Sequence, residues 1–222
     1  MYIGKKPAVT ALTASDITDG IVSNAKLAQD IISGDTALAS EPADTDEFLV
    51  SDAGTLKRID YSLIKGAGKV LQVVQTVKTD VTSTTSTTYA DMSGMSRTIT
   101  PVAASSKILI IPSLFFGNEG GMAYHVQRDV ASGGYSTITA YTGDAAGSRE
   151  RAAQGGNWTQ TGAQFTGMYL DTPSYSLTNE LTYKLQWTAE NGTLYLNRTS
   201  NDADNAYHIR SASTLTLIEI GA

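Results

Sequence analysis

The sequence contains no cysteine and only two histidines among its 222 residues. Disulfide bonds and thiolate metal sites are therefore excluded, and a histidine-rich zinc site within one chain is not expected. Charged residues make up 17% of the chain, which is below the usual quarter, and Thr, Ser, Gly and Ala fill the deficit. This composition favours β-structure with polar faces over helical bundles.

Clustered positive charge and long apolar runs are also missing. The net charge is −6 and the longest basic runs are Lys5-Lys6 and Lys57-Arg58, whereas nucleic-acid binding relies on clusters of Lys and Arg. No segment approaches the ~20 apolar residues that span a bilayer, and no apolar run follows the first seven residues as in a signal peptide. We expect a soluble protein made in a cytoplasm, with no nucleic-acid partner and no membrane insertion.

Residues 1–66 carry only thin apolar stripes. Apolar residues recur at intervals of three or four and predict a short helix or coil; they are Ile17, Ile21, Ala25, Ala28 and Ile32. Farther along, Glu47-Phe-Leu-Val50 and Leu56-Lys-Arg-Ile59 flank a turn signal and predict two short strands, the first of which includes Phe48 and Leu49. Ordering 66 residues costs on the order of 70–130 kcal/mol of backbone entropy, which such stripes cannot offset. We therefore expect sister subunits or another protein to hold this arm through these apolar residues; the alternative is an amphipathic helix that packs on the rest of its own chain.

Residues 67–222 carry repeated short strand patterns instead. Lys107–Phe116 is the most hydrophobic stretch and predicts a central strand, in which Pro112 requires an edge, a bulge or a bend. The dipeptide Asn191-Gly192 predicts a hairpin turn. The clearest half-buried strand alternates polar residues with Leu181, Tyr183, Leu185 and Trp187. Roughly eight to ten strands separated by turn signals predict an antiparallel β-sandwich of the jelly-roll kind.

Two segments of the arm resemble bacteriophage tail-fibre sequences. The segment DGIVSNAKLAQD, residues 19–30, looks like one unit of the repeats in fibre shafts. The segment from Asp44 to Ser62, which begins DTDEFLVSDAG, is similar to a recurrent segment of marine and cyanobacterial phage fibre proteins. This resemblance implies a virion component, usually trimeric, whose N-terminal part is attached to the particle.

The resemblance leads to two related functional hypotheses. In the first, the chain is a short trimeric tail fibre or fibre tip, with residues 1–66 docked on a tail or baseplate protein and residues 67–222 facing the host surface. In the alternative, it is a capsid decoration protein that contacts the major capsid protein and stabilises the shell. Both predict a homotrimer in the virion, because a narrow apolar stripe is buried when three copies meet on an axis.

A host-surface glycan is the receptor that this composition favours. Aromatic faces stack on sugar C–H surfaces, so loop aromatics with amide neighbours are the candidate contacts. These are Tyr141, Asn157, Trp158 and Tyr175, with Tyr169 as a further member. The alternative for Tyr141 and Tyr169 is simple packing in the sandwich. Trp158 lies in a glycine-rich loop of the kind that carries function, although a neighbouring subunit is an equal candidate for its partner.

Catalysis and metal binding have weak support in the sequence. The chain has no nucleophile elbow, zinc motif or P-loop. Asp144, Glu150 and Asp171 are the carboxylates from which a glycosidase pair could be drawn. The run Asn201–Asn205 offers oxygen side chains to a calcium ion, but it lacks the EF-hand spacing and an ordinary turn is the simpler interpretation. We expect neither enzyme activity nor a cofactor nor a resident metal.

Overall fold

The described part of the chain is mainly antiparallel β-structure. The computed structural model describes residues 36–40, 42–64, 69–157 and 162–221. Strands make up 51% and helix is almost absent, which confirms the mainly-β prediction. In these residues no helix is long and apolar enough to cross a membrane. The chain divides into two compact units, residues 1–65 and residues 66–222.

The first unit contains a tight β-hairpin. Strand β1 (Glu47–Asp52) pairs antiparallel with β2 (Thr55–Asp60), and the short helix α1 (Tyr61–Ile64) follows directly. Ala53 and Gly54 form the two-residue turn at φ values of 50° and 86°, a left-handed conformation that glycine adopts without strain. The two short strands predicted around this turn are therefore confirmed.

The second unit is a sandwich of two antiparallel sheets. The larger sheet contains β3 (Val70–Lys78), β4 (Thr82–Thr84), β6 (Lys107–Asn118), β10 (Ala163–Thr166), β11 (Tyr169–Asp171), β13 (Leu194–Leu196) and β14 (Ser213–Ile220). The smaller sheet contains β5 (Ala90–Ile99), β7 (Gly121–Val130), β8 (Ser136–Thr137), β9 (Gln154–Asn157) and β12 (Leu181–Ala189). The strand order is β3–β14–β6–β13–β4 in the larger sheet, where β10 and β11 also pair with β6, and β5–β12–β7–β8 in the smaller, where β9 pairs with β7.

One hydrophobic core fills the space between the two sheets. The alternating side chains of β12 are buried, as predicted: Leu181, Tyr183, Leu185 and Trp187. Strand β6 contributes the facing set from the larger sheet: Ile108, Ile110, Leu114 and Phe116. Strands with one apolar face bury it in this way against a second sheet, while their other face turns outward.

Pro112 lies in the centre of the larger sheet, where β6 has partners on both sides. On one side it is opposite Leu215 of β14. On the other side its carbonyl oxygen accepts a hydrogen bond from Gly167 N at 3.0 Å, and Gly167 lies in the break between β10 and β11. Proline has no backbone N–H, and the side of β6 on which this donor is missing faces the irregular segment at Gly167. No regular ladder of hydrogen bonds is therefore interrupted there. The predicted local irregularity is confirmed.

The predicted hairpin at Asn191-Gly192 is wrong. Strand β12 before this turn pairs with β5 and β7 in the smaller sheet. Strand β13 after it pairs with β4 and β6 in the larger sheet. The turn therefore carries the chain from one sheet to the other. Its chemistry was identified correctly, since Gly192 has φ 69°, but a turn motif does not specify which strands pair across it.

A buried polar network joins the two sheets. Asp171 of β11 accepts hydrogen bonds from Arg128 Nη1 at 2.7 Å and 2.5 Å and from the Tyr183 hydroxyl at 2.8 Å. Arg128 belongs to β7 and Tyr183 to β12, so the carboxylate of one sheet binds two groups of the other. Asp171, proposed above as a member of a carboxylate pair, has its partners inside the sandwich.

Candidate functional site

The aromatic residues expected to contact a receptor pack largely against the core. Tyr141 and Tyr175 are half-buried. Tyr141 stacks on Tyr169, with ring centroids 4.8 Å apart and planes 13° apart. The Tyr175 hydroxyl accepts a hydrogen bond from Ser106 N at 2.8 Å and donates one to Ala103 O at 2.7 Å. Packing therefore accounts for the position of both side chains, and their role in receptor contact stays a prediction.

Two of the receptor candidates, Asn157 and Tyr175, lie at opposite ends of the sandwich. Asn157 pairs through its backbone with Gly121, at the end of the sandwich where β6 turns into β7. Tyr175 lies at the other end, in a groove of about 340 Å³ that also involves Ser105, Ser106 and Lys107, where β6 begins. Trp158 and the side chain of Asn157 lie outside the described residues.

The most exposed aromatic side chain in the described ranges is instead Tyr207, at 87%. It lies in the loop between Arg198 and Arg210, which form an isolated β-bridge at its base. Thr199 N donates to Ile209 O at 3.2 Å just above that bridge, so the two ends of the loop are hydrogen-bonded to each other. Compact loops closed in this way are frequently functional. We call residues 198–210 the Tyr207 loop.

A charged residue in the middle of the Tyr207 loop links its two ends. Asp202 Oδ2 lies 3.3 Å from Arg198 Nη1, and Asp202 Oδ1 accepts a hydrogen bond from Arg210 Nε at 2.9 Å. The guanidinium of Arg198 also lies over the ring of Tyr195, 3.6 Å from its centroid. One carboxylate shared by two arginines restrains the loop more than a single exposed ion pair does.

Two asparagine side chains of the Tyr207 loop accept hydrogen bonds from backbone N–H groups of the same loop. Asn201 Oδ1 accepts a hydrogen bond from Ala203 N at 3.0 Å, and Asn205 Oδ1 accepts one from Tyr207 N at 2.9 Å. These are Asx turns, in which the side chain replaces a backbone acceptor. Three of the four side chains considered above as calcium ligands, Asn201, Asp202 and Asn205, therefore have partners within the loop. In the residues that the structure describes, no three histidine or carboxylate side chains are placed to hold a metal ion.

Asn197 joins the Tyr207 loop to the sandwich. Its buried side chain donates from Nδ2 to the carbonyl oxygens of Lys78 at 2.8 Å and Asp80 at 2.9 Å, and its Oδ1 accepts from Ser213 Oγ at 2.6 Å. Its φ of 69° lies in the left-handed region that asparagine tolerates better than most residues. The loop therefore starts beside a residue that is fixed by two other segments, the end of β3 with the residues that follow it and the start of β14.

Close backbone packing against β6 also holds the start of the Tyr207 loop. A Cβ added to Gly117 of β6 would lie 2.3 Å from Arg198 O and 2.5 Å from Ser200 N. Only glycine allows this close approach of the loop to the strand. These contacts hold the start of the loop in place, and two apolar side chains of the loop, Tyr207 and Ile209, are exposed.

Tyr207 is not among the sequence-predicted contacts, because the pattern around it indicates an ordinary turn or metal ligands. The usable signal was an aromatic residue directly after the polar run Asn201–Asn205, where asparagine side chains favour turns. An aromatic in such a turn-rich loop has little opportunity to enter a core. A pre-ordered, exposed tyrosine offers a ring face and a hydroxyl for binding at low cost in conformational entropy.

His125 is a buried titratable group of the smaller sheet. Its ring stacks on Tyr89 with centroids 3.9 Å apart, and Nε2 lies 3.0 Å from Gln186 Oε1. Burial lowers the pKa of His125, while the bond to Gln186 and the charge of Glu150 offset part of this effect. Burial disfavours the imidazolium form, and it is the largest of these effects.

The apolar residues assigned to the arm divide into two sets. Phe48 and Leu49 lie in β1 and are exposed, Leu49 at 75%, although the Phe48 ring lies 6.1 Å from that of Tyr61. The remaining five fall outside the described residues: Ile17, Ile21, Ala25, Ala28 and Ile32.

The chain matches no protein-family model and no curated protein sequence.

Proposed function

We propose that the protein is a bacteriophage virion protein, a short trimeric tail fibre or fibre tip that binds the host surface and has no catalytic role. The support for a virion component is the resemblance of residues 19–30 and 44–62 to fibre sequences. Its N-terminal arm attaches to the particle, and its sandwich faces the host. The single structural observation that supports a binding role is the rigid loop that presents Tyr207.

The β1–β2 hairpin supports attachment of the arm to another protein. A two-stranded hairpin is marginally stable alone in water, and this one exposes Leu49 and Leu56. Exposed apolar side chains on such a small element are buried favourably by a partner. In the proposed virion, the partner is a tail or baseplate protein.

Tyr207 is the proposed centre of receptor contact. Its ring is suited to stacking on the C–H face of a sugar, and its hydroxyl to binding a sugar hydroxyl. One stacked sugar binds weakly, but three loops on a trimer raise the avidity by a hundredfold or more when they engage one polysaccharide. The receptor class is therefore a repeating surface glycan of the host.

Binding of labelled full-length protein to host cells tests the adhesive role. We expect Tyr207→Ser to reduce binding on the order of tenfold or more and Tyr207→Phe to retain most of it, because phenylalanine keeps the stacking face. Leu177→Ser changes another exposed apolar residue and is the matched control. Equal binding by wild type and Tyr207→Ser would exclude this residue as the contact.

Cross-linking of intact virions tests the location. Cross-links from residues 44–62 to a tail or baseplate protein are expected. Cross-links from the same residues to the major capsid protein would instead establish the capsid decoration role and refute the fibre assignment.

A further inference from the structure

The outward side of the larger sheet carries a continuous apolar strip. Val73, Ile218, Leu109 and Leu170 are directly opposite one another across four neighbouring strands, β3, β14, β6 and β11. Further apolar side chains share this side at adjacent register positions. We call the set the outer face; it comprises Val70, Val73, Val77, Leu109, Ile111, Leu170, Ile218 and Ile220.

Charge is almost absent from this side of the sandwich. Among the described outward positions of these four strands, the one charged side chain is Lys107, at the margin beside Ile220. The remaining polar positions hold Thr, Ser and Gln. The outward side of the smaller sheet is different, because there Lys184 Nζ lies 2.8 Å from Asp91 Oδ1 and Asp129 is nearby on β7. Depletion of charge is the compositional mark of an interface centre.

The outer face supplies most of the apolar area that one side of a standard interface needs. Four of its side chains are exposed, from Leu170 at 42% to Val73 at 57%, and the other four are half-buried. At roughly 100 Å² for a fully exposed aliphatic side chain, they offer on the order of 300 Å² of apolar surface. A standard interface buries about 800 Å² per partner, a little over half of it apolar. The threonine methyl groups between the aliphatic side chains contribute to the remainder.

We infer that a second copy of this chain packs against the outer face, so that the sandwich itself contributes to subunit assembly. A copy suits this surface because an uncharged face approaches another subunit without like-charge repulsion, although each chain carries a net charge of −6. A strongly basic or acidic partner would find no complementary charge there. The inference rests on the proposed trimer and adds the surface through which its bodies meet.

The mass of the full chain in solution, measured by light scattering over a range of concentrations, tests the inference. We expect wild type to have the mass of three chains. The double substitution Val73→Lys with Leu170→Lys places positive charges in the proposed interface and is expected to weaken association on the order of a hundredfold or more. Val102→Lys changes an exposed valine in a loop and is the matched control. Both positions on the outer face are exposed, and circular dichroism verifies that the variants are folded.

Three outcomes would overturn the inference. If the double variant keeps the wild-type mass, the subunits meet elsewhere, while the fibre assignment stands. A monomeric wild type would refute the interface and the trimer together, and the binding role of Tyr207 would still be decided separately by the cell assay. Low reactivity of the outer-face side chains toward hydroxyl radicals in a monomer would identify a segment of the same chain as their cover.

Discussion

Asp171→Ala removes the centre of the polar network that joins the two sheets. The hydroxyl of Tyr183 is buried and loses its acceptor, which costs roughly 1–3 kcal/mol. Arg128 loses both of its bonds to the carboxylate. Breaking a buried ion pair costs about 3–5 kcal/mol, but the Arg128 side chain is 23% exposed and is partly rehydrated. The contributions overlap, and we expect a total loss of about 4 kcal/mol in the free energy of unfolding.

Urea unfolding of purified wild type and variant, followed by circular dichroism, measures this difference. The matched control is Asp91→Ala, which removes the partner of Lys184 on the outward side of the smaller sheet. The Asp91 side chain is 59% exposed, and exposed pairs contribute about 0–1 kcal/mol. A loss of 4 kcal/mol also lowers the melting temperature by roughly 10 °C in a chain of this size.

Equal losses for Asp171→Ala and Asp91→Ala would refute the reasoning. Such a result would mean that water reaches Arg128 and Tyr183 as easily as it reaches the surface pair. The buried network would then contribute nothing to holding the sheets together.

Three further substitutions give predictions of different kinds. Gly117→Ala places a Cβ against Arg198 O, and we expect a loss of roughly 1–3 kcal/mol in urea unfolding, whereas Gly143→Ala meets open space and is expected to change little. Asn197→Ala removes three hydrogen bonds, two of them buried and one part-buried, and is expected to cost about 3 kcal/mol by the same measurement; a loss below 1 kcal/mol would contradict its structural role. The pKa of His125 is lower in the folded protein than in the unfolded chain, so the unfolded chain binds this proton at a higher pH. The free energy of unfolding therefore falls as the pH drops below about 6.5. His125→Gln is expected to show a smaller fall between pH 7.5 and pH 5, and an unchanged fall would assign the pH dependence to other groups.

Local patterns in the sequence predicted local structure well. The alternation in Leu181–Trp187 identified a half-buried strand, because side chains of a strand point to opposite faces with a period of two. Pro112 predicted an irregularity because it lacks a backbone donor. The β1–β2 hairpin followed from strand patterns around a turn signal. Each of these inferences needs only neighbouring residues.

Partners that are distant in the sequence were not predictable in this way. The turn at Asn191-Gly192 has the same chemistry whether the next strand returns to its own sheet or crosses to the other. The loop that carries Tyr207 begins beside Asn197, whose hydrogen bonds reach Lys78 and Ser213. No local pattern reveals such contacts, so the receptor candidates chosen from composition included tyrosines that pack against the core.

The position of β14 between β3 and β6 also has a consequence for the newly made chain. Leu217 pairs with Val74, and closing a loop of roughly 140 residues costs about 4 kcal/mol of chain entropy. At about 5–20 residues per second, the ribosome needs on the order of 10 s to proceed from β3 to β14. During that interval β3, and β6 once it has been made, have no β14 to pair with. High expression therefore favours aggregation of nascent chains, and slower synthesis at lower temperature is expected to increase the soluble yield.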